Sequence, residues 1–426
     1  MFKYIIEGGN KLSGNVSIYG SKNTALTVIP AAILSDEPVI FSNLPHVQDV
    51  VSMASILSDL GASLELLTAK TDETMRLSFK CNQNIKTQIH YDYVSKMRAS
   101  ILLMGPMLAR FGFCEISLPG GCAIGVRPVN LHIMAMEKLG AEVTLHDGYL
   151  RAIAKSGKLI GNTIDFPIVT VGGTENAVMA ACLAEGETVI NNAAIEPEIT
   201  NLCDMLSRMG ADISGSGTRQ IRIQGKKSLH GAEYRVPSDR IQTFTYAIAS
   251  AATGFGIKLK GADIEDFLGT TDVLNAIGID VKQVDKNTID VIQTRELLPT
   301  TIVTAPIPGF PTDCQAQAMA LLSCVKGKSV VIEEMFENRM MHVAELNRMG
   351  ANITLKGNTA FVEGVESLSG ASVMATDLRA SASLVIAGLM AKGKTTINRV
   401  YHIDRGYDFL PAKLEACGAK ISKIFE

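Results

Sequence analysis

The sequence predicts an α/β protein of two domains, each made of three repeats of a β-α-β-α-β type unit. Two observations carry this. A short phrase, Leu-x-x-(hydrophobic)-Gly-(small)-x-(Ile/Val/Leu) or close to it, returns six times, centred on Gly61, Gly140, Gly210, Gly278, Gly350 and Gly418. These glycines stand 79, 70, 68, 72 and 68 residues apart, so each unit can hold several strands and helices. A second kind of segment, apolar or small almost all round, also recurs once per unit. Six units in 426 residues suggest two domains of three, with a boundary near residue 235. A single array of six is the alternative division.

The elements follow in a fixed order. The all-round apolar segments are 23–34, 98–109, 175–184, 240–252, 313–324 and 379–391. Helices of that make-up are buried on every side. None reaches the roughly 18–20 apolar residues of a membrane span, so no membrane partner is expected. A glycine and a strand come next, as at Gly327 to Ile332 and Gly393 to Asn398. An amphipathic helix then runs into the repeated phrase, whose glycine tolerates the left-handed backbone that stops a helix. An alternating strand follows, as at residues 211–214 and 351–354.

Composition narrows the function. A net charge of −3 without a basic stripe argues against nucleic acid. The N-terminus has no apolar signal core. Eight cysteines occur without a CxxC pair or metal-ligand spacing, which fits a reducing cytoplasm and no structural zinc. There is no P-loop, and Gly215-Ser216-Gly217 does not follow a strand as a dinucleotide loop does. No cofactor and no metal are expected.

The units differ most at their helix starts, and the differences are charged. The buried helices open with Lys22-Asn23, Arg98, Glu175, Asp239-Arg240, Asp313 and Asp377-Leu378-Arg379. The amphipathic helices open near Arg127, Glu196, Arg339 and Arg405; Arg127 and Arg405 each lie 13 residues before a repeat glycine. A helix N-terminus offers free N–H groups and partial positive charge, so an added Arg or Lys makes an anion site. Capping alone would select Asp, Ser or Thr there. For any one of these cations a surface ion pair is the alternative. Jointly they point to a substrate with several negative groups.

One loop stands apart, Ser117-Leu-Pro-Gly-Gly-Cys122-Ala-Ile-Gly-Val-Arg127-Pro128-Val129-Asn130. Glycines and prolines should leave it exposed, and a thiol near a guanidinium can act as nucleophile or acid. An unused surface thiol is the other reading of Cys122. The other seven cysteines lie mostly in apolar elements and are expected to be inert. Asp313 reads either as a plain N-cap or as a general base. As a charged cleft residue it should add little to either core.

At these residues the chain resembles the UDP-N-acetylglucosamine 1-carboxyvinyltransferases, a family of enolpyruvyl transferases. The matching segments are GSKNTAL (20–26), MRASI (97–101), LPGGCAIGVRP (118–128), EPEI (196–199), FPTDCQAQ (310–317), FENRMMH (336–342), ATDLRASASL (375–384) and YHIDRGY (401–407). The resemblance implies two inside-out α/β barrel domains with internal three-fold symmetry. Domain I would be 22–235 with the Cys122 loop, and domain II 1–21 with 236–426. The site would lie in a cleft that closes on substrate. The implied reaction moves the enolpyruvyl group of phosphoenolpyruvate to the 3-hydroxyl of UDP-N-acetylglucosamine and releases phosphate, in peptidoglycan synthesis. Carried over by position, Lys22, Arg127 and Arg405 would hold the phosphate, and Arg339 and Arg379 the carboxylate. Asp313 would deprotonate the hydroxyl, Asn23 would orient the sugar and Asp377 would steady the arginines. Cys122 would serve as acid, and is the residue that fosfomycin alkylates in the family. Pro128, Val129, Asn130, Leu131, Thr170, Val171 and Gly172 would line the uridine diphosphate, and Arg98 and Met335 would bind substrate.

Three positions depart from the family pattern. Asn130 stands where Asp is expected, Gln242 where Glu is expected and Phe244 where Gly is expected. Asn130 exchanges a pure acceptor for a donor–acceptor amide. The competing readings are an enolpyruvyl transferase acting on shikimate 3-phosphate or on another nucleotide, and a silent sugar-nucleotide binding protein.

Overall fold

The computed structural model describes residues 2–68, 73–94, 97–118 and 129–425. Cys122, Arg127 and Pro128 lie outside the described residues. Two compact units emerge, one from residues 20–118 and 129–237, the other from 2–19 and 238–425.

The first unit holds three four-stranded sheets among the described residues. One of them shows the pattern shared by all. Thr163–Asp165 runs parallel to Glu187–Asn191, which pairs antiparallel with Gln220–Gln224, which pairs antiparallel with Asp212–Ser214. The helix Val171–Ala181 lies in the parallel crossover, and the helix Pro197–Arg208 leads into the hairpin. The unit therefore carries one strand more than the expected β-α-β-α-β, because the strand after the amphipathic helix folds back on itself. The second unit repeats this order in three further sheets. Its N-terminal strands complete two of them. Ser13–Ser17 runs parallel to Gly256–Lys260, and Phe2–Glu7 sits between Lys394–Asn398 and Lys420–Phe425. In the same way Glu233–Arg235 returns to pair with Val39–Leu44.

The repeat glycines do what their conformational freedom allows. All six have positive φ, from 89° at Gly140 to 108° at Gly61. In four units the residue after the glycine donates its N–H back across the last turn: Ala62 to Leu57, Ala211 to Leu206, Ala351 to Leu346 and Ala419 to Leu414. That six-to-one bond is the Schellman stop.

The all-round apolar helices are buried as expected. Residues Thr24 to Ala31, Ile241 to Ala251, Cys314 to Leu322 and Arg379 to Leu389 are all buried. Each unit has its own apolar cluster around them. Two boundaries moved. The third helix begins at Val171 rather than 175, because Thr170 caps it through a bond from the Gly173 N–H. The segment 98–109 is not one helix but a 3₁₀ turn, Arg98–Leu103, followed by the α-helix Met104–Phe111. Pro106 cannot donate to the Leu102 carbonyl, so a regular α-ladder cannot pass this point. Among the described residues no helix is long and apolar enough to cross a membrane.

Candidate functional site

In the second unit the charged residues converge where sequence reasoning put them, but through other local structure. Asp313 is not an N-cap. Pro311 holds that position without a side-chain bond, and Asp313 is the second residue of the helix Thr312–Leu322. Its Oδ1 accepts from Arg339 Nη2 at 2.5 Å and from Arg379 Nε at 3.1 Å. Both guanidinium groups are only 6% exposed, against 27% for the Asp313 side chain. Arg379 enters from the first turn of Leu378–Met390, whose cap is Asp377; the Asp377 carboxylate accepts the N–H groups of Arg379 and Ala380. Asp377 thus fixes the backbone that carries Arg379. Burial pushes the Arg379 guanidinium down, but Asp313, Tyr407 and Asp239 outweigh it and hold it above its ordinary value.

Arg339 and Arg405 were expected at helix starts and are not there. Arg339 sits three residues before the helix His342–Arg348, and Arg405 ends the 3₁₀ turn Val400–Arg405. The macrodipole argument therefore does not apply to them; tertiary contacts place them instead. The segment bearing Arg405 runs between two left-handed non-glycine residues, Arg399 (φ 59°) and Phe409 (φ 50°). Such backbone persists only where surroundings over-determine it. Those surroundings are visible: Tyr407 OH meets Thr245 Oγ1 at 2.8 Å, Gln242 Nε2 donates to the Gly406 carbonyl at 3.3 Å, and Lys413 pairs with buried Asp408 at 3.1 Å. His402 in this turn is pushed down by burial and by Arg405.

Sequence reasoning missed Glu333. It is buried, and its carboxylate accepts from Thr304, Thr312 and Gln315 and from the backbone N–H groups of Met335 and Phe336. One side chain thus joins the start of the Asp313 helix to the turn holding Met335. Its only sequence signal was a charge at the end of an apolar strand. Gln242 and Phe244 also act here. Gln242 is inaccessible and bonds the residue after Arg405, while Phe244 packs edge-on against Phe310, three residues before Asp313.

His342 lies buried near Asp377 and Arg339, and burial pushes it down to about 4. Its unfolded value is near 6.5, so between these values the unfolded chain binds the extra proton. His342 is thus expected to cost stability as pH falls from about 6.5 to about 4. Melting temperature against pH should drop more steeply in the parent than in His342→Gln; parallel curves would refute this.

In the first unit a second set of residues is tied together at the starts of its helices. Lys22 opens the helix Lys22–Ala31 after the Ser21 cap and pairs with buried Asp49 at 3.4 Å. Asn23 follows it. Thr27 of this helix bonds Glu175 of the third helix at 2.6 Å, and Asn201 bonds Thr24 at 3.1 Å. Arg98 opens its 3₁₀ turn. Val129 is the buried cap of the helix Asn130–Lys138, Asn130 is exposed at its first position and Leu131 is half-buried. Thr170, Val171 and Gly172 form the cap and first turn of Val171–Ala181.

Among the described cysteines, six are buried and Cys324 is half-buried. Burial pushes Cys81 and Cys203 up to about 11 and Cys314 up to about 12, as inert core thiols require.

Six copies of one α/β unit, with two arginines gathered on a carboxylate in the first turn of a buried helix, give the architecture of the enolpyruvyl transferases. The chain matches the family described as EPSP synthase (3-phosphoshikimate 1-carboxyvinyltransferase) over residues 6–414, and it belongs to that family. It is 52% identical over 425 residues to the UDP-N-acetylglucosamine 1-carboxyvinyltransferase of Novosphingobium aromaticivorans, covering 100% of this chain and 99% of that protein. It is 48% identical over 424 residues to the protein of the same name from Magnetococcus marinus, covering 100% of both. Among solved structures, the enolpyruvyl transferase NikO from Streptomyces tendae has a TM-score of 0.88 at 24% identity, covering 99% of this chain and 98% of that one. The EPSP synthase from Acinetobacter baumannii has a TM-score of 0.75 at 19% identity, covering 100% of both. These two likenesses concern the fold alone.

Proposed function

We propose that this chain transfers the enolpyruvyl group of phosphoenolpyruvate to the 3-hydroxyl of UDP-N-acetylglucosamine, the first committed step of peptidoglycan synthesis. The observation that carries this is identity near one half, over the full length, to proteins of that name. The transferase NikO, alike in fold with a TM-score of 0.88, shares only 24%.

The reaction adds the hydroxyl oxygen to C2 of phosphoenolpyruvate while C3 gains a proton. The resulting tetrahedral ketal then loses the C3 proton and phosphate. Asp313 is proposed to take the hydroxyl proton and Cys122 to serve as acid. Lys22, Arg127 and Arg405 are assigned to the phosphate, and Arg339 and Arg379 to the carboxylate. Asn23 is assigned to the sugar. Residues 128–131, Thr170, Val171 and Gly172 are assigned to the uridine diphosphate, and Arg98 and Met335 to substrate binding. The ion bridge adds a feature to this scheme. Asp313 accepts from the same two guanidinium groups that we assign to the substrate carboxylate. An arriving carboxylate competes for them and leaves Asp313 the stronger base.

The test is phosphate release from phosphoenolpyruvate with UDP-N-acetylglucosamine, beside shikimate 3-phosphate and UMP as alternative acceptors. Release only with UDP-N-acetylglucosamine is expected, with Asn130 a tolerated variation. Silence there and release on another acceptor would move the chain to a different pathway.

A further inference from the structure

Asn176 sits in the middle of Val171–Ala181 and is completely buried. Its Oδ1 accepts the Gly105 backbone N–H at 2.9 Å, and its Nδ2 donates to the Ile101 carbonyl at 2.9 Å. Residues 101 and 105 are the i and i+4 partners of an α-ladder, at the junction between the Arg98 turn and the next helix. The amide stands in for the missing backbone bond. One of those backbone groups can only donate and the other can only accept, so they fix which end of the amide is oxygen and which is nitrogen.

That assignment decides the state of a neighbour. Nδ2 has a second hydrogen, and His132 Nδ1 lies 2.8 Å from it. A ring nitrogen facing a donor must offer its lone pair. Nδ1 is therefore unprotonated, and the neutral ring carries its proton on Nε2. Nε2 is on the side of the ring that faces Gly172. A Cβ built on Gly172 would stand 3.1 Å from it and 2.9 Å from Cε1, so any larger residue would push the ring away.

We propose that Asn176 is a positioning residue. It locks His132 as the Nε2–H tautomer, presenting a donor beside Gly172, and it holds the Arg98 turn and the Asn130 helix against the Thr170 helix. The amide bonds directly to two elements carrying residues assigned to substrate, the Arg98 turn and the Asn130 helix, and stands on a third, the Thr170 helix. That last link rests on the function proposed above; the tautomer does not.

The test labels the histidine rings of the full-length protein with nitrogen-15, using His132→Gln to identify the signal. His132 is expected to show an unprotonated Nδ1 and a protonated Nε2. A protonated Nδ1 in the parent would overturn the proposal. Asn176→Asp keeps the acceptor for Gly105 but removes the donor facing the ring, so the proton is expected to move to Nδ1. The same variant should raise KM for UDP-N-acetylglucosamine about tenfold, equivalent to ~1.4 kcal/mol, with KM for phosphoenolpyruvate little changed. An unchanged tautomer, or equal losses on both substrates, would refute the positioning role. A parent that shows the expected tautomer but no turnover with UDP-N-acetylglucosamine would overturn the function and leave the lock standing.

Discussion

Asp313→Ala lowers kcat by roughly 10²–10⁴, the range a positioned general base contributes, and it also lowers the melting temperature. The second half corrects the expectation that a charged cleft residue adds little to the fold. Asp313 accepts from two guanidinium groups that are almost wholly buried. Without it, both keep their charge and lose a partner at low dielectric. The cost should be roughly 3 kcal/mol, the lower end for a broken buried pair, because Asp313 keeps 27% of its own surface exposed. Steady-state kinetics and a thermal melt check the two halves separately. Near-normal turnover would remove Asp313 as the base. An unchanged melt would mean that the arginines find other partners.

The fold was legible because its signals are local. A glycine that must be left-handed at Gly210 or Gly350 shows in the chain as a small residue closing an apolar-periodic helix. All-round apolar segments such as 240–252 can only be interior. The hairpin return was harder to see. Gln220–Gln224 pairs with both Glu187–Asn191 and Asp212–Ser214, and its own alternation is short. The break at Leu103 was missed because RASILLMGPMLA reads as one apolar stretch, although Pro106, its ninth residue, is the signal that a regular helix cannot run through it.

The site was legible only as residue types. Arg339 and Arg405 stood out as charges beside apolar runs, yet they do not sit at helix N-termini. What places them is distant in sequence: Asp313 for Arg339, and Gln242 and Thr245 for the segment that carries Arg405. The supporting polar residues were nearly invisible. Asn176 in an apolar helix and Glu333 at a strand end read as minor defects of the pattern. Each is explained in part by a partner far along the chain, Thr304 29 residues from Glu333 and Ile101 75 residues from Asn176. Burial makes such groups costly unless every bond is made, and the structure shows those bonds.

Arg379→Lys should lower kcat/KM for phosphoenolpyruvate by about 10²–10³ while leaving KM for UDP-N-acetylglucosamine within a few-fold. The side chain presents Nε to Asp313 at 3.1 Å and Nη1 to Tyr407 OH at 3.5 Å, with the guanidinium 5.9 Å from the Tyr407 ring. A planar fork can serve Asp313, Tyr407 and a substrate carboxylate at once; an ammonium on a flexible stem cannot. Losing two charge-assisted bonds of about 1.5–3 kcal/mol each, partly replaced by the lysine charge, leaves about 3–4 kcal/mol. At 1.36 kcal/mol per decade that gives roughly the stated range. Tyr407→Phe is the control. It keeps the ring but loses the long contact to Arg379 along with the Thr245 and Gln317 partners of its hydroxyl; only the first bears on the guanidinium, so it should cost no more than about tenfold, the effect of at most ~1.5 kcal/mol. If Arg379→Lys matched the parent, the carboxylate would have to be held elsewhere. If Tyr407→Phe were as damaging as Arg379→Lys, orientation by Tyr407, not charge at Arg379, would set the affinity for phosphoenolpyruvate.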